Sequence, residues 1–229
     1  MRLTLRRKIL GLAVASAALP LIVVLLLMLR FDNVITSKAK DELDKLGQAN
    51  LKQIAQDVFS LCQTANELLQ QKLEHSLNVA HGELKSNGGF LISSKPIKWA
   101  VTNQFTQEKL DIVLPLVYIG KTPIFQNFDL NVSSPVVDKV KYLGGSTCTI
   151  FMRMNENGDM LRIVTNVETS DSKRAVGTYI PSINPDGLPN EVIRTILAGK
   201  TYKGIAYVVN SWYVTLYEPL KNNQGRIIG

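Results

Sequence analysis

The chain has 229 residues, with 26 Lys and Arg against 19 Asp and Glu, a formal charge of +7 and two cysteines. Five of the basic residues and none of the acidic ones fall in residues 1–30, so the remainder carries 21 basic and 19 acidic side chains, a near-balance that gives no basis for a nucleic-acid-binding face. Two cysteines, Cys62 and Cys148, are too few for a disulfide scaffold, and a chain of this length can bury a core without one; two buried thiols are the default, with a single bridge in an oxidising compartment left open.

Residues 1–8 form a short tail carrying Arg2, Arg6, Arg7 and Lys8, followed by the uncharged run Ile9–Leu29. A bilayer core needs roughly twenty apolar residues as helix, so residues 9–30 are expected to span a membrane. Short basic tails stay in the cytoplasm, which places everything from Phe31 onward beyond the inner membrane face. Ala15-Ser16-Ala17 offers small residues for signal cleavage, but the apolar run continues well past Ala17, longer than the roughly seven to fifteen residues of a signal core. An uncut anchor is therefore expected, kinked or not at Pro20.

Residues 31–85 read as one long helix, with no proline and only Gly47 and Gly82 between Val34 and Lys85. Leu51, Val58 and Ala65, and Ile54, Leu61 and Leu68, repeat every seven residues, the seam of a helix that pairs with a second copy. From Leu69 through Leu73 to Leu77 the step becomes four, which suits packing against the chain's own domain.

The helical pattern ends at Lys85-Ser86-Asn87-Gly88-Gly89. Residues 97–105 and 110–119 follow as strands rich in β-branched and aromatic side chains, with Pro115 indicating an edge or a bulge. Residues 136–143 read as a short helix capped by serine with Pro135 near its first turn. Residues 147–154 and 159–167 flank Asn155-Glu156-Asn157-Gly158 as a hairpin. A second short helix at 191–198 is closed by Gly199. Two strands within 201–220 turn at Asn210-Ser211, and Arg226–Gly229 starts another strand, whose shortness reads as a fragment of a longer protein. The order predicts an α+β fold: a long N-terminal helix, then an antiparallel sheet with short flanking helices.

Residues that could carry chemistry are few. His75 and His81, six apart on a helix, point about 240° away from each other and cannot share a metal. There is no CxxC, HExxH, GxSxG or phosphate-binding glycine loop, so neither an enzyme nor a cofactor is expected. Beyond residue 30 there are five arginines, and Arg153, Arg162 and Arg174 lie on or beside the central hairpin. Arginine presents a planar fork that fits a carboxylate through two parallel hydrogen bonds. Strand alternation groups Arg162 with Val164 and Asn166, Thr149 with Phe151 and Arg153, and Tyr213 with Thr215 and Tyr217, leaving Trp212, Val214 and Leu216 on the opposite face. An arginine with hydroxyls over an aromatic floor suits a small carboxylate; ordinary strand packing and a solvated edge arginine are the plain alternative.

Four segments, RIVTN at 162–166, GTYI at 177–180, YKG at 202–204 and WYVTLYEPL at 212–220, resemble the single Cache sensor domain of bacterial methyl-accepting chemotaxis proteins, in the subclass with fused Cache-type segments. The resemblance covers roughly residues 31–229, with the anchor in the expected place. It implies a PAS-like antiparallel sheet at 86–229, carried on the long helix and facing the periplasm as a homodimer. It implies a small organic carboxylate or amino acid as ligand, with Thr149, Phe151, Arg162, Tyr179, Trp212, Tyr213 and Tyr217 nearest the pocket. The output that such a sensor drives stays open among a chemoreceptor rod, a histidine kinase and a cyclic-dinucleotide enzyme. A dimeric stalk that binds a protein and no small molecule is the alternative from another class.

Overall fold

The computed structural model describes residues 5–229, so the beginning of the basic tail, residues 1–4, lies outside the described residues. The structure resolves into two compact units, residues 1–64 and 65–229. Helix α1 runs Leu5–Ser86. In the first unit its apolar side chains are open: Leu25, Leu27 and Leu29 of the uncharged run, and Leu51, Ile54, Val58 and Leu61 of the seven-residue series, are all exposed. The apolar stretch is long and hydrophobic enough to cross a membrane, with a mean hydropathy of 2.1 over its window.

The second unit begins with the last turns of α1, where the burial stripe follows the four-residue step. Leu73, Leu77, Ala80 and Leu84 are half-buried and Ser76 is fully buried. The helix stops where Gly88 and Gly89 adopt positive φ, and the Gly89 amide donates to the carbonyl of Leu84 at 2.8 Å.

Eight strands and two short helices follow: β1 (Phe90–Asn103), β2 (Lys109–Ile119), β3 (Thr122–Pro123), α2 (Val137–Gly144), β4 (Thr149–Arg153), β5 (Met160–Thr165), β6 (Thr178–Ile180), α3 (Glu191–Leu197), β7 (Tyr202–Val208) and β8 (Ser211–Tyr217). Six strands form one sheet in the order β3-β2-β1-β6-β5-β4, and β7 and β8 form a separate two-stranded ribbon. The fold is α+β and its sheet is antiparallel except where β6 runs parallel to β1. Pro115 sits opposite Pro96, beside a register shift in β1, on the side of β2 that the two-residue β3 leaves unpaired. That placement spares the sheet a missing donor.

The sheet is buried on both faces, so β5 has no exposed residue at all. On one face Trp99, Val101, Leu114, Ile119, Leu161 and Ile163 pack with Val137 and Val140 of α2. On the other, Phe151, Met160 and Ile180 pack with Val192, Ile193 and Ile196 of α3.

Four local features depart from the sequence reading. The cap of α2 is Val136, held at φ +68° with no side-chain cap bond, rather than a serine. Asp138 instead reaches back to accept from the Ser134 amide at 2.8 Å. Arg226–Gly229 makes one isolated bridge, Lys221 with Ile227, and no strand; its backbone docks on the free edge of β4, where Arg153 N–H donates to the carbonyl of Ile228 at 2.8 Å. Strand β1 starts at Phe90, seven residues before the predicted start, on the polar and proline-containing run LISSKP. Finally, β4 and β5 shift register between Ile150 and Phe151: Thr149 faces Thr165 and Ile150 faces Val164, but Phe151 faces Arg162. Ile163 is the extra residue of this β-bulge, so Arg162 shares its face with Thr165 rather than with Val164.

Candidate ligand cavity

The bulge places Arg162 beneath a cavity of about 120 Å³ in the second unit. Leu73, Ser76, Leu77 and Ala80 of α1 form one wall, β8 from Tyr213 to Tyr217 another, and Thr149, Phe151 and Arg162 of the sheet the floor. The cavity is thus walled by the helix, the large sheet and the ribbon together.

Arg162 is fully buried. Its Nη1 donates to Thr178 Oγ1, and Thr178 Oγ1 in turn donates to the carbonyl of Ala175 at 2.8 Å. The guanidinium carbon stands 5.0 Å from the centre of the Phe151 ring, a cation–π contact. Nε and Nη2 are buried with no hydrogen-bond partner. These two nitrogens form one side of the guanidinium fork, the edge that accepts a carboxylate through two parallel bonds. Burial lowers the guanidinium to about 10, with the neighbouring Tyr217 acting in the opposite direction, so the group is still a cation at neutral pH.

Arg174 shows what a saturated arginine looks like in the same domain. It is also buried, but Nη1 and Nη2 hold the Asp138 carboxylate at 2.7 and 2.9 Å, and Nε, Nη1 and Nη2 also donate to the carbonyls of Asp129, Thr165 and Val132. A buried cation is tolerated when paired in this way and is expensive when it is not. Arg174 fastens the 127–138 loop to β5; Arg162 keeps an edge unused.

Around that edge the polar groups are neutral. Burial raises the Tyr217 phenol above its ordinary value, so it keeps its proton at neutral pH, even though Arg162 pulls it down. Burial likewise pushes the Cys148 thiol up to about 12. Cys148 and Cys62 are both free thiols. Thr149 Oγ1 and Thr165 Oγ1 lie 2.7 Å apart, and Ser76 Oγ donates to Ser146 Oγ at 2.9 Å. Among the described residues, Arg162 is the only Lys, Arg, Asp or Glu side chain lining the cavity.

Of the seven residues singled out from the sequence, Thr149, Phe151, Arg162, Tyr213 and Tyr217 line this cavity together. Tyr179 does not: it lies in the core on the opposite face, paired with Leu161, and burial raises its phenol while a bond with Asn103 opposes the rise. Trp212 does not either; it is 71 % exposed and stands edge-on to Tyr207 in a different cavity. The sequence reading missed Ser76 and Thr178. Thr178 lies inside the GTYI segment, and Ser76 is a lone hydroxyl beside the four-residue leucine step, a weak signal for a buried polar contact. Among the described residues no cluster of His, Cys, Asp and Glu could hold a metal.

The family model that matches this chain is the Cache 3/Cache 2 fusion domain, over residues 36–229. The chain belongs to the Cache 3/Cache 2 fusion family. Neither a curated protein nor a solved structure matches it. Cache domains are extracellular small-molecule-sensing modules, and a cavity between the sheet and α1 is consistent with that role. The matched range takes in all of the β-structure and both short helices of this Cache domain, together with α1 from residue 36 onward.

Proposed function

We propose that this Cache domain is the periplasmic sensor of a membrane receptor, of the chemoreceptor type, and that it binds a small monocarboxylate in the Arg162 cavity. The observation that carries the reading is the unpartnered Nε–Nη2 edge of a fully buried arginine. A carboxylate set against that edge would complete the hydrogen bonds the protein leaves unmade and neutralise the buried charge. Thr149, Tyr213 and Tyr217 would orient the ligand, and Phe151 supports the guanidinium from below.

Size and charge narrow the ligand class. At about 30 Å³ per water in the liquid, a cavity of about 120 Å³ holds roughly four water-sized groups, enough for a carboxylate of about two to four carbons. A second carboxylate would find no second cation, and the ammonium of an amino acid would find no carboxylate. Ligands this small gain at most about 1.5 kcal/mol per non-hydrogen atom, so five atoms give micromolar affinity at best.

Residues 9–30 anchor the chain in this reading, with the basic tail inside, and the open Leu51–Leu61 series pairs two copies. The signal passes through α1, whose Leu73, Ser76, Leu77 and Ala80 wall the cavity and whose sequence also carries the apolar run. Two ion pairs two turns apart, Glu74 with Lys203 and His81 with Glu218 at 2.9 Å, tie this part of α1 to β7 and to the residue after β8. A ligand that shifts the ribbon against α1 biases the helix by its differential affinity for the two arrangements.

Calorimetric titration of the full chain in detergent, against monocarboxylates, dicarboxylates and amino acids, tests this. Short monocarboxylates alone are expected to bind. A preference for dicarboxylates or amino acids, or equal binding by an Arg162→Met variant, would remove the proposed role of Arg162.

A further inference from the structure

A second cavity of the 65–229 unit, of about 450 Å³, shares no lining residue with the first. It lies between the end of β1, the 184–191 loop leading into α3, and the β7–β8 ribbon. Its wall is aromatic. The Phe105 and Tyr207 rings stack with centroids 5.8 Å apart, and Trp212 meets Tyr207 edge-on at 5.6 Å. Ring faces carry the negative end of the aromatic quadrupole and attract cations.

Gln104 and Asp186 offer hydrogen-bond acceptors here. Gln104 is 3 % exposed, and its Nε2 donates to the Tyr207 carbonyl at 3.2 Å. A carbonyl can only accept, so this bond fixes which way the amide faces. Gln104 lines the cavity, and its Oε1 is consequently left buried with no hydrogen-bond partner. Asp186 is exposed on the rim, accepts from the Leu188 amide at 3.0 Å, and has no ion-pair partner among the described residues. Glu191 adds a second carboxylate, already held by Arg194 at 2.6 Å. Among the described residues, no Lys or Arg side chain lines the cavity.

We propose that this second cavity binds an organic ammonium ion, with its N–H groups donated to Gln104 Oε1 and the Asp186 carboxylate and its alkyl part lying on Trp212 and Tyr207. An anion would meet two carboxylates there. A neutral apolar molecule would leave Gln104 Oε1 unsatisfied, the loss that makes a polar site selective. The inference rests on residues that take no part in the carboxylate cavity and stands independently of it.

Titration of the full chain in a non-ionic detergent with butylammonium chloride, up to about 10 mM, reads the site directly. Butylammonium is expected to bind and 1-butanol, its neutral counterpart, is not. Trp212→Ala, at an exposed position, and Asp186→Asn, which keeps an acceptor for Leu188, should each weaken binding by about three- to tenfold. Arg162→Met should leave it unchanged, which separates this site from the first. Absence of binding, equal binding of 1-butanol, or full affinity retained in both site variants would overturn the proposal.

Discussion

Arg162→Met should make the ligand-free protein more stable while abolishing its response to carboxylates. Burial lowers the guanidinium to about 10, and at about 1.4 kcal/mol for each tenfold change in the proton equilibrium the charge opposes folding by about 3 kcal/mol. The sign follows from linkage. The folded pKa lies below the unfolded one, so the unfolded chain holds the proton more tightly; the opposition is complete below about pH 10 and fades as pH rises toward the ordinary value of a free guanidinium. Methionine fills similar space without charge. It forfeits the Phe151 contact, about 1 kcal/mol, but Thr178 is not orphaned because its hydroxyl still donates to Ala175. A net gain of about 1–2 kcal/mol remains, which in a unit of this size raises the melting temperature by about 2–8 °C. Thermal unfolding of the full chain in detergent at pH 7, followed by near-ultraviolet circular dichroism, measures it. A variant that melts several degrees lower would show that Arg162 holds the fold together as Arg174 does, and the argument for an unused edge would fail.

The remaining predictions concern the scaffold. Asp138→Ala strips Arg174 of its carboxylate and the Ser134 amide of its acceptor, and should destabilise by about 3 kcal/mol or more, seen as an earlier urea midpoint. Asn190→Ala removes the acceptor for the Val192 and Ile193 amides at the start of α3, a loss of about 1 kcal/mol by the same assay. Gly120→Ala would put a methyl group 1.6 Å from the Asn87 carbonyl at a positive φ, and the soluble yield of folded protein should fall sharply. Cys62 is exposed while burial holds the Cys148 thiol at about 12, so a maleimide at pH 7 should label Cys62 alone by mass spectrometry; labelling of Cys148 at a similar rate would contradict the burial of that thiol.

Much of the architecture was legible in the sequence because it is encoded locally. Asn155–Gly158 marks the β4–β5 turn, Gly199 the end of α3, and the change from a seven- to a four-residue step marks where α1 begins to pack on its own domain. The candidate cavity was legible in its residue types, since a hairpin arginine among threonines and tyrosines is a local pattern. What escaped was set by tertiary structure. Alternation alone puts Arg162 beside Val164, and only the bulge at Ile163 turns it toward Thr165 and Phe151. Tyr179 and Trp212 fit the pattern equally well, but pairing with Leu161 sends one into the core and the ribbon places the other on a separate cavity. The strand β6 is three residues long, too short for periodicity to register, yet it carries the hydroxyl that anchors Arg162.

The most direct test compares propionate with propionamide, equal in shape and different in charge, by calorimetric titration of the full chain and of Arg162→Met. Propionate should bind the parent chain with a Kd between about 10 µM and 1 mM, and neither compound should bind the variant. Propionamide binding as tightly as propionate, or propionate binding that survives Arg162→Met, would contradict a carboxylate seated on the free edge of that arginine.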